Sequence, residues 1–177
     1  NVCTNLNQGP AMYIQKADSA ALFEMYRGCY NTAFTIPTIV IDTIEPYACR
    51  NMCMNYTETI SKKNYTRNAV VSSIPNGIHA KIIKPYGCYQ MFNPASSLTT
   101  IGNLKADTIQ DHGCYQMTKS CTALTTIGDL RAQYLADSAC AYMFNTASKL
   151  NTIGSLHTDK YTNTSAFHQM FYNCPMV

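Results

Sequence analysis

Residues 88–113 read CYQMFNPASSLTTIGNLKADTIQDHG. The phrase returns as CYQMTKSCTALTTIGDLRAQYLADSA over 114–139 and as CAYMFNTASKLNTIGSLHTDKYTNTSA over 140–166. A last, partial copy, FHQMFYNCPMV, occupies 167–177. Cys88, Cys114 and Cys140 stand 26 residues apart, as do Leu98, Leu124 and Leu150, and Ile101, Ile127 and Ile153. Apolar residues locked to a fixed period of this length mark a solenoid, in which each turn buries its apolar edge only against its neighbours. The expected fold class is a repeat solenoid of about six turns, with short parallel strands and irregular or short-helical return legs.

Within one turn the apolar skeleton is Cys88, Met91, Leu98, Ile101, Leu104 and Ile109. Spacings of three and four around Cys-x-x-Met-Phe suit a short helix or 3₁₀ turn. Leu-Thr-Thr-Ile-Gly-x-Leu suits a short strand with a bend at Gly102, Gly128 and Gly154, where glycine can take a positive φ.

Going back toward the start, the pattern loosens. Residues 1–19 fit no repeat column and are expected to cap the apolar end of the stack. Asp18 or Ser19 could N-cap a short helix through Ala20, Ala21, Leu22 and Met25. The solenoid is expected over 20–177, with the regular repeats at 88–177. In the first, degenerate turn Ile36, Ile39 and Ile44 fall in the columns of Ile101, Leu104 and Ile109. Cys49 to Cys88 spans 39 residues, 13 more than the period. The surplus is placed as an inserted loop at about 61–73, and insertions in repeat proteins project, often on the binding face. This one carries Lys62, Lys63 and Arg67, either a small basic contact loop or a solvated hairpin without a partner.

Nine cysteines in 177 residues raise the question of disulfides. Cys49, Cys88, Cys114 and Cys140 share one column, where the last copy has Phe167. A position that takes Cys or Phe is interior, so buried free thiols are expected, although neighbours in that column are close enough for a bridge. Cys29, Cys121 and Cys174 share a second column, too far apart to pair with one another. No Cys or His spacing suits zinc, and no nucleophile, phosphate-loop or metalloprotease motif is present. No cofactor, metal or catalytic residue is therefore expected. Only 13% of residues are charged and the net charge is +3, which argues against a nucleic-acid partner. No apolar run is long enough to span a membrane. Residues 1–20 have neither the basic start nor the apolar middle of a secretory leader. The chain begins with Asn rather than Met, so a processed product or a piece of a longer protein is expected.

The motif Cys-Tyr-x-Met-Phe-x-x-x-x-x-Leu-Thr-x-Ile resembles the BspA-type (Treponema-type) bacterial and phage leucine-rich repeats, in the long variant with a Met-Phe pair in each turn. The likeness covers 88–177 clearly and 20–87 in degenerate form. The period here is longer than the common ~23-residue unit, within the leucine-rich range. The resemblance implies a leucine-rich-repeat-like solenoid and a surface-displayed adhesion or binding protein without enzymatic activity, located outside the cell or on a cell or virion surface.

Two functions follow as expectations. One is a binding module for a protein or glycan, its contact face made by the strand residues Thr99, Thr100, Asn103, Thr125, Thr126, Asp129, Asn151, Thr152 and Ser155. The other is a structural assembly subunit, such as a virion decoration, fibre or filament component. It would pack against copies of itself or other subunits through an uncapped end at Phe167, Met170, Phe171 and Val177.

Overall fold

Each repeat contributes one short and one long strand, and both stack on their counterparts in the next turn. The computed structural model describes residues 8–26, 34–53, 71–161 and 165–177, together with the backbone of the strands at 56–60 and 63–67. Thirteen strands lie among the described residues: β1 Met12–Ala17, β2 Phe34–Thr35, β3 Ile39–Ile44, β4 Tyr56–Ile60, β5 Lys63–Arg67, β6 Val71–Ile74, β7 Ile78–Ile83, β8 Thr100–Ile101, β9 Leu104–Ile109, β10 Thr126–Ile127, β11 Leu130–Leu135, β12 Thr152–Ile153 and β13 Leu156–Tyr161. The long strands form a six-stranded parallel sheet in the order β1-β3-β7-β9-β11-β13, and the short ones a five-stranded sheet in the order β12-β10-β8-β6-β2. The molecule is a parallel β-solenoid of about five complete turns.

Register follows the repeat columns. Ile39, Ile78, Leu104, Leu130 and Leu156 are successive partners, and so are Ile44, Ile83, Ile109, Leu135 and Tyr161. In β9 and β11 the burial pattern runs buried, exposed, buried, exposed, half-buried, buried. Side chains alternate across a strand, so the slip near its end marks a bend at which two consecutive residues face out. Leu104, Leu130, Ile78, Ile83 and Ile109 are at most 1% exposed. Complete burial of such a side chain stabilises by roughly 1.5–3 kcal/mol.

The return legs are not helical, and no helix occurs among the described residues. In the leg around Cys114, Gly113, Tyr115, Met117, Lys119 and Cys121 each donate a backbone hydrogen bond to the carbonyl three residues back. His112, Cys114, Gln116, Thr118 and Ser120 donate instead to the next turn of the stack. His112, Gln116 and Ser120 have φ values of 57, 53 and 60°. The leg is thus a run of β-turns with a positive φ every fourth residue, and its burial reads two in, two out. The spacing of three and four that suggested a helix is this four-residue period. An α-helix would send every amide four residues back and leave none for the neighbouring turn. Residues 20–25 are likewise turns: Ala20 and Glu24 have φ of 59 and 49°, and Ser19 donates to the Pro46 carbonyl at 2.8 Å rather than capping a helix.

The bends at Gly102, Gly128 and Gly154 do not use positive φ. Of the described glycines only Gly77 does, at 77°. At Gly128 an added Cβ would lie 2.5 Å from Asn103 Oδ1, and at Gly154 2.6 Å from Asp129 Oδ1. Glycine is needed there because the corner of the preceding turn presses against the backbone.

Within the stretch 1–19 expected to cap the stack, β1 is the terminal strand of the long sheet and lies in register on β3. Part of the stretch 61–73 is not loop: β6 pairs in the short sheet from Val71. The insertion carries an antiparallel hairpin, β4 on β5, the hairpin being one of the two expected forms, and among the described residues it pairs with no other strand. Among the described residues all seven cysteines are buried free thiols. Cys121 donates to the Phe92 carbonyl at 2.9 Å, and burial pushes its thiol up to about 12, so it stays protonated. Hydrogen bonds along the Cys49–Cys88–Cys114–Cys140 column, and burial with them, raise Cys49 and Cys114 well above the ordinary thiol range.

Candidate functional site

The nine strand-face residues expected to touch a ligand come together along the short sheet and its corner. Thr100, Thr126 and Thr152 are in register. Much of the group's hydrogen-bonding capacity is spent inside the stack. Thr99 donates to the Ser72 carbonyl at 3.0 Å and Thr125 to the Thr99 carbonyl at 3.1 Å. Asn103 Oδ1 accepts the Asp129 amide at 2.8 Å, and Asp129 Oδ1 accepts the Ser155 amide at 3.0 Å. Thr152 donates to Asn151 Oδ1 at 3.0 Å. Asn103, Asp129 and Ser155 therefore form a corner ladder that holds one turn on the next. The Ser155 amide, with Arg131 second, holds the Asp129 carboxyl below its ordinary range.

Of the basic loop, Lys63 and Arg67 lie at opposite ends of β5, partnered by Ile60 and Tyr56, while Lys62 falls outside the described residues. Of the four residues placed at an assembly end, Met170 is buried and Phe167 half-buried. Phe171, also half-buried, stacks on Phe144 at 5.3 Å, so Met170 belongs to the core and the two phenylalanines pack against it at the last turn. Val177 is exposed, in company with Leu156, Tyr161, Tyr172 and Met176.

The site that the sequence reading missed lies on the outer face of the long sheet. Two outward columns run along the stack there. One holds His79, Lys105, Arg131 and His157 in register. The other, two residues further along each strand, holds Lys81, Asp107, Gln133 and Asp159. Between them runs a groove of about 360 Å³ lined by His79, Lys105, Asp107, Arg131, Gln133 and Asp159, among others, with Ala80, Ala106 and Ala132 between the two walls. In a chain with 13% charged residues this one face gathers Lys105, Arg131 and two histidines in one column, and Asp107 and Asp159, with Lys81 and Gln133, in the other.

The walls differ in how firmly they are held. Arg131 is tied back to Asp129 at 2.9 Å, Lys81 pairs with Asp42 at 2.7 Å, and His157 meets Asp159 at 3.0 Å. The His79 ring contacts the Asn76 carbonyl at 2.9 Å. Lys105 and Asp107 make no close ion pair among the described residues, although the charge of Lys105 is felt at Asp129 and that of Asp107 at Lys81. A signal for this face was available. The segments LKADTI, LRAQYL and LHTDKY carry charged or imidazole side chains at the second position and polar ones at the fourth. The strand had instead been sought one segment earlier, in Leu-Thr-Thr-Ile.

Among the described residues no three His, Cys, Asp or Glu side chains come close enough to hold a metal ion, and no helix is long and apolar enough to cross a membrane. The groove can offer charge pairing and hydrogen bonds along an extended ligand. Comparison with protein-family models, with curated proteins and with solved structures found no match.

Proposed function

We propose that this protein is a non-enzymatic binding module, displayed outside the cell or on a cell or virion surface, that holds an extended ligand in the groove of its long sheet. The observation that carries the reading is one groove walled on one side by the in-register column His79, Lys105, Arg131 and His157 and on the other by Asp107, Gln133 and Asp159. Identical backbone spacing repeats each column at roughly 4.8 Å, the strand separation within a sheet. An unbranched polymer lying along the stack therefore meets a basic or imidazole side chain at each step on one wall, and Asp107, Gln133 and Asp159 in turn on the other. Carboxylates on one wall disfavour a uniformly acidic glycan, so a polypeptide segment with side chains of both signs fits better. The test is binding of the intact protein to peptide and glycan arrays, repeated with Lys105→Glu and Asp107→Lys. Each variant is expected to lose the captured peptides at least tenfold, and the double exchange to select a different set. Capture that is indifferent to all three variants would reject the groove.

One observation favours a second reading, the assembly subunit. Leu156 is 45% exposed, while Leu104 and Leu130 in the same column are each 1% exposed. A further β-strand laid on β13, from a second copy or another subunit, would bury it. Light scattering decides this: a defined oligomer that Leu156→Asp dissolves supports the reading, and a monomer at high concentration rejects it.

A further inference from the structure

The turns of the return legs carry a second surface, separate from both sheets. Two columns of rings stand side by side on it. In the first, Tyr47 stacks on Tyr86 at 5.4 Å and 6°, and Tyr86 on His112 at 4.9 Å and 20°. In the second, Tyr89 stacks on Tyr115 at 6.0 Å and 23°, and the Arg50 guanidinium lies 5.7 Å from the Tyr89 ring. The columns meet at right angles, with Tyr86 and Tyr89 at 90° and Tyr47 and Tyr89 at 86°. Between them is a groove of about 410 Å³ lined by Tyr47, Arg50, Tyr86, Tyr89, His112 and Tyr115, with no carboxylate in its lining. Tyr89 and Met91 recur together one period on as Tyr115 and Met117. The structure separates them: Met52, Met91 and Met117 are at most 1% exposed, whereas these tyrosines reach solvent and Tyr47 is 42% exposed.

We propose that this groove binds a proline-rich polypeptide segment in the polyproline II conformation, with an acidic residue of the segment at the Arg50 end. Three properties of the groove point to that occupant. Polyproline II segments dock in aromatic-lined grooves because their shape is preformed and little order is lost on binding. Their carbonyls have no internal partners, and phenol hydroxyls along the groove are donors for them. The lengths also agree: the groove spans three successive turns of the stack, two spacings of ~4.8 Å or roughly 9.6 Å, and one polyproline turn of three residues rises ~9.3 Å. Ligand residues three apart thus meet Tyr47 and His112, the first-column rings of the first and third turns. Arg50 makes no ion pair among the described residues, and its charge complements an acid flanking the prolines.

The experiment is fluorescence anisotropy on the intact protein with a labelled peptide of nine prolines bearing two glutamates at one end. A second peptide has glycine at every other proline position. Saturable binding of the first, at least tenfold weaker binding of the second, and a tenfold loss in Tyr86→Ala are expected. Arg50 is exposed, its guanidinium over the Phe23 and Tyr89 rings, and Arg50→Glu should reduce affinity for the acidic peptide several-fold with little change in thermal unfolding, so it decides the matter even if Tyr86→Ala fails to fold. Lys105→Glu, on the other face, should leave this binding unchanged. Absence of saturable binding, equal binding of the glycine-interrupted peptide, or capture of a neutral oligosaccharide at the same residues in place of the peptide would overturn the proposal.

Discussion

At the scale of single residues, the corner ladder is where one side chain does the work of stacking. Asp129 occupies the position of Asn103 one turn earlier, and each accepts the amide of the next corner. Asn serves for this as well as Asp, but only Asp titrates. The carboxyl of Asp129 is held below its ordinary range in the folded protein, first by the Ser155 amide and then by Arg131. A depressed folded value means that the ionised form stabilises the fold above the unfolded pKa of about 4. That stabilisation is lost as the pH falls through the folded value. Urea midpoints measured between pH 5 and pH 2 should therefore fall less steeply for Asp129→Asn than for the wild type. At neutral pH the asparagine variant should keep its bond to Ser155, as Asn103 keeps its own to Asp129. Parallel pH profiles would show that the ladder does not depend on charge.

At the scale of elements, the return leg is the informative piece, because its hydrogen bonding is shared between turns. Gln116 has a φ of 53°, which strains any residue with a Cβ and most of all a β-branched one. Gln116→Val should destabilise by about 1–2 kcal/mol, and Gln116→Gly should be neutral or mildly stabilising. In a helical leg the glycine variant would cost about 1 kcal/mol instead. Chemical denaturation thus tells the two kinds of leg apart by the order of the two variants, glycine above valine in a left-handed turn and valine above glycine in a helix. The hydrogen bond from Gln90 to Gln116 at 2.9 Å is lost in both variants and cancels in the comparison.

At the scale of the whole molecule, stability comes from contacts between adjacent turns, so position in the stack sets the cost of a mutation. Leu130 and Leu156 share a column and a chemistry, but Leu130 is 1% exposed and Leu156 45%. Leu130→Ala should cost about 2–5 kcal/mol, and Leu156→Ala well under half of that. Equal costs in urea unfolding would mean that Leu156 is covered in solution, as the assembly reading requires. The sequence by itself determined the column structure. A fixed 26-residue period with apolar residues at fixed offsets leaves one register in which the columns are continuous, and Ile78, Leu104, Leu130 and Leu156 fall in it as their spacing implies. The period also placed Cys49, Cys88, Cys114 and Cys140 inside, because a position shared by Cys and Phe has to be apolar. Only the tertiary structure decided the form of the legs. Their alternate amides find partners solely in the neighbouring turn, and no local pattern distinguishes two-in, two-out turns from a helical face. The same holds for the surfaces. Whether Lys105 or Thr99 fronts a groove depends on where the bend falls between the short and long strands. That bend is fixed by the close approach of one turn to the next at Gly102, Gly128 and Gly154, a contact between residues far apart in the chain.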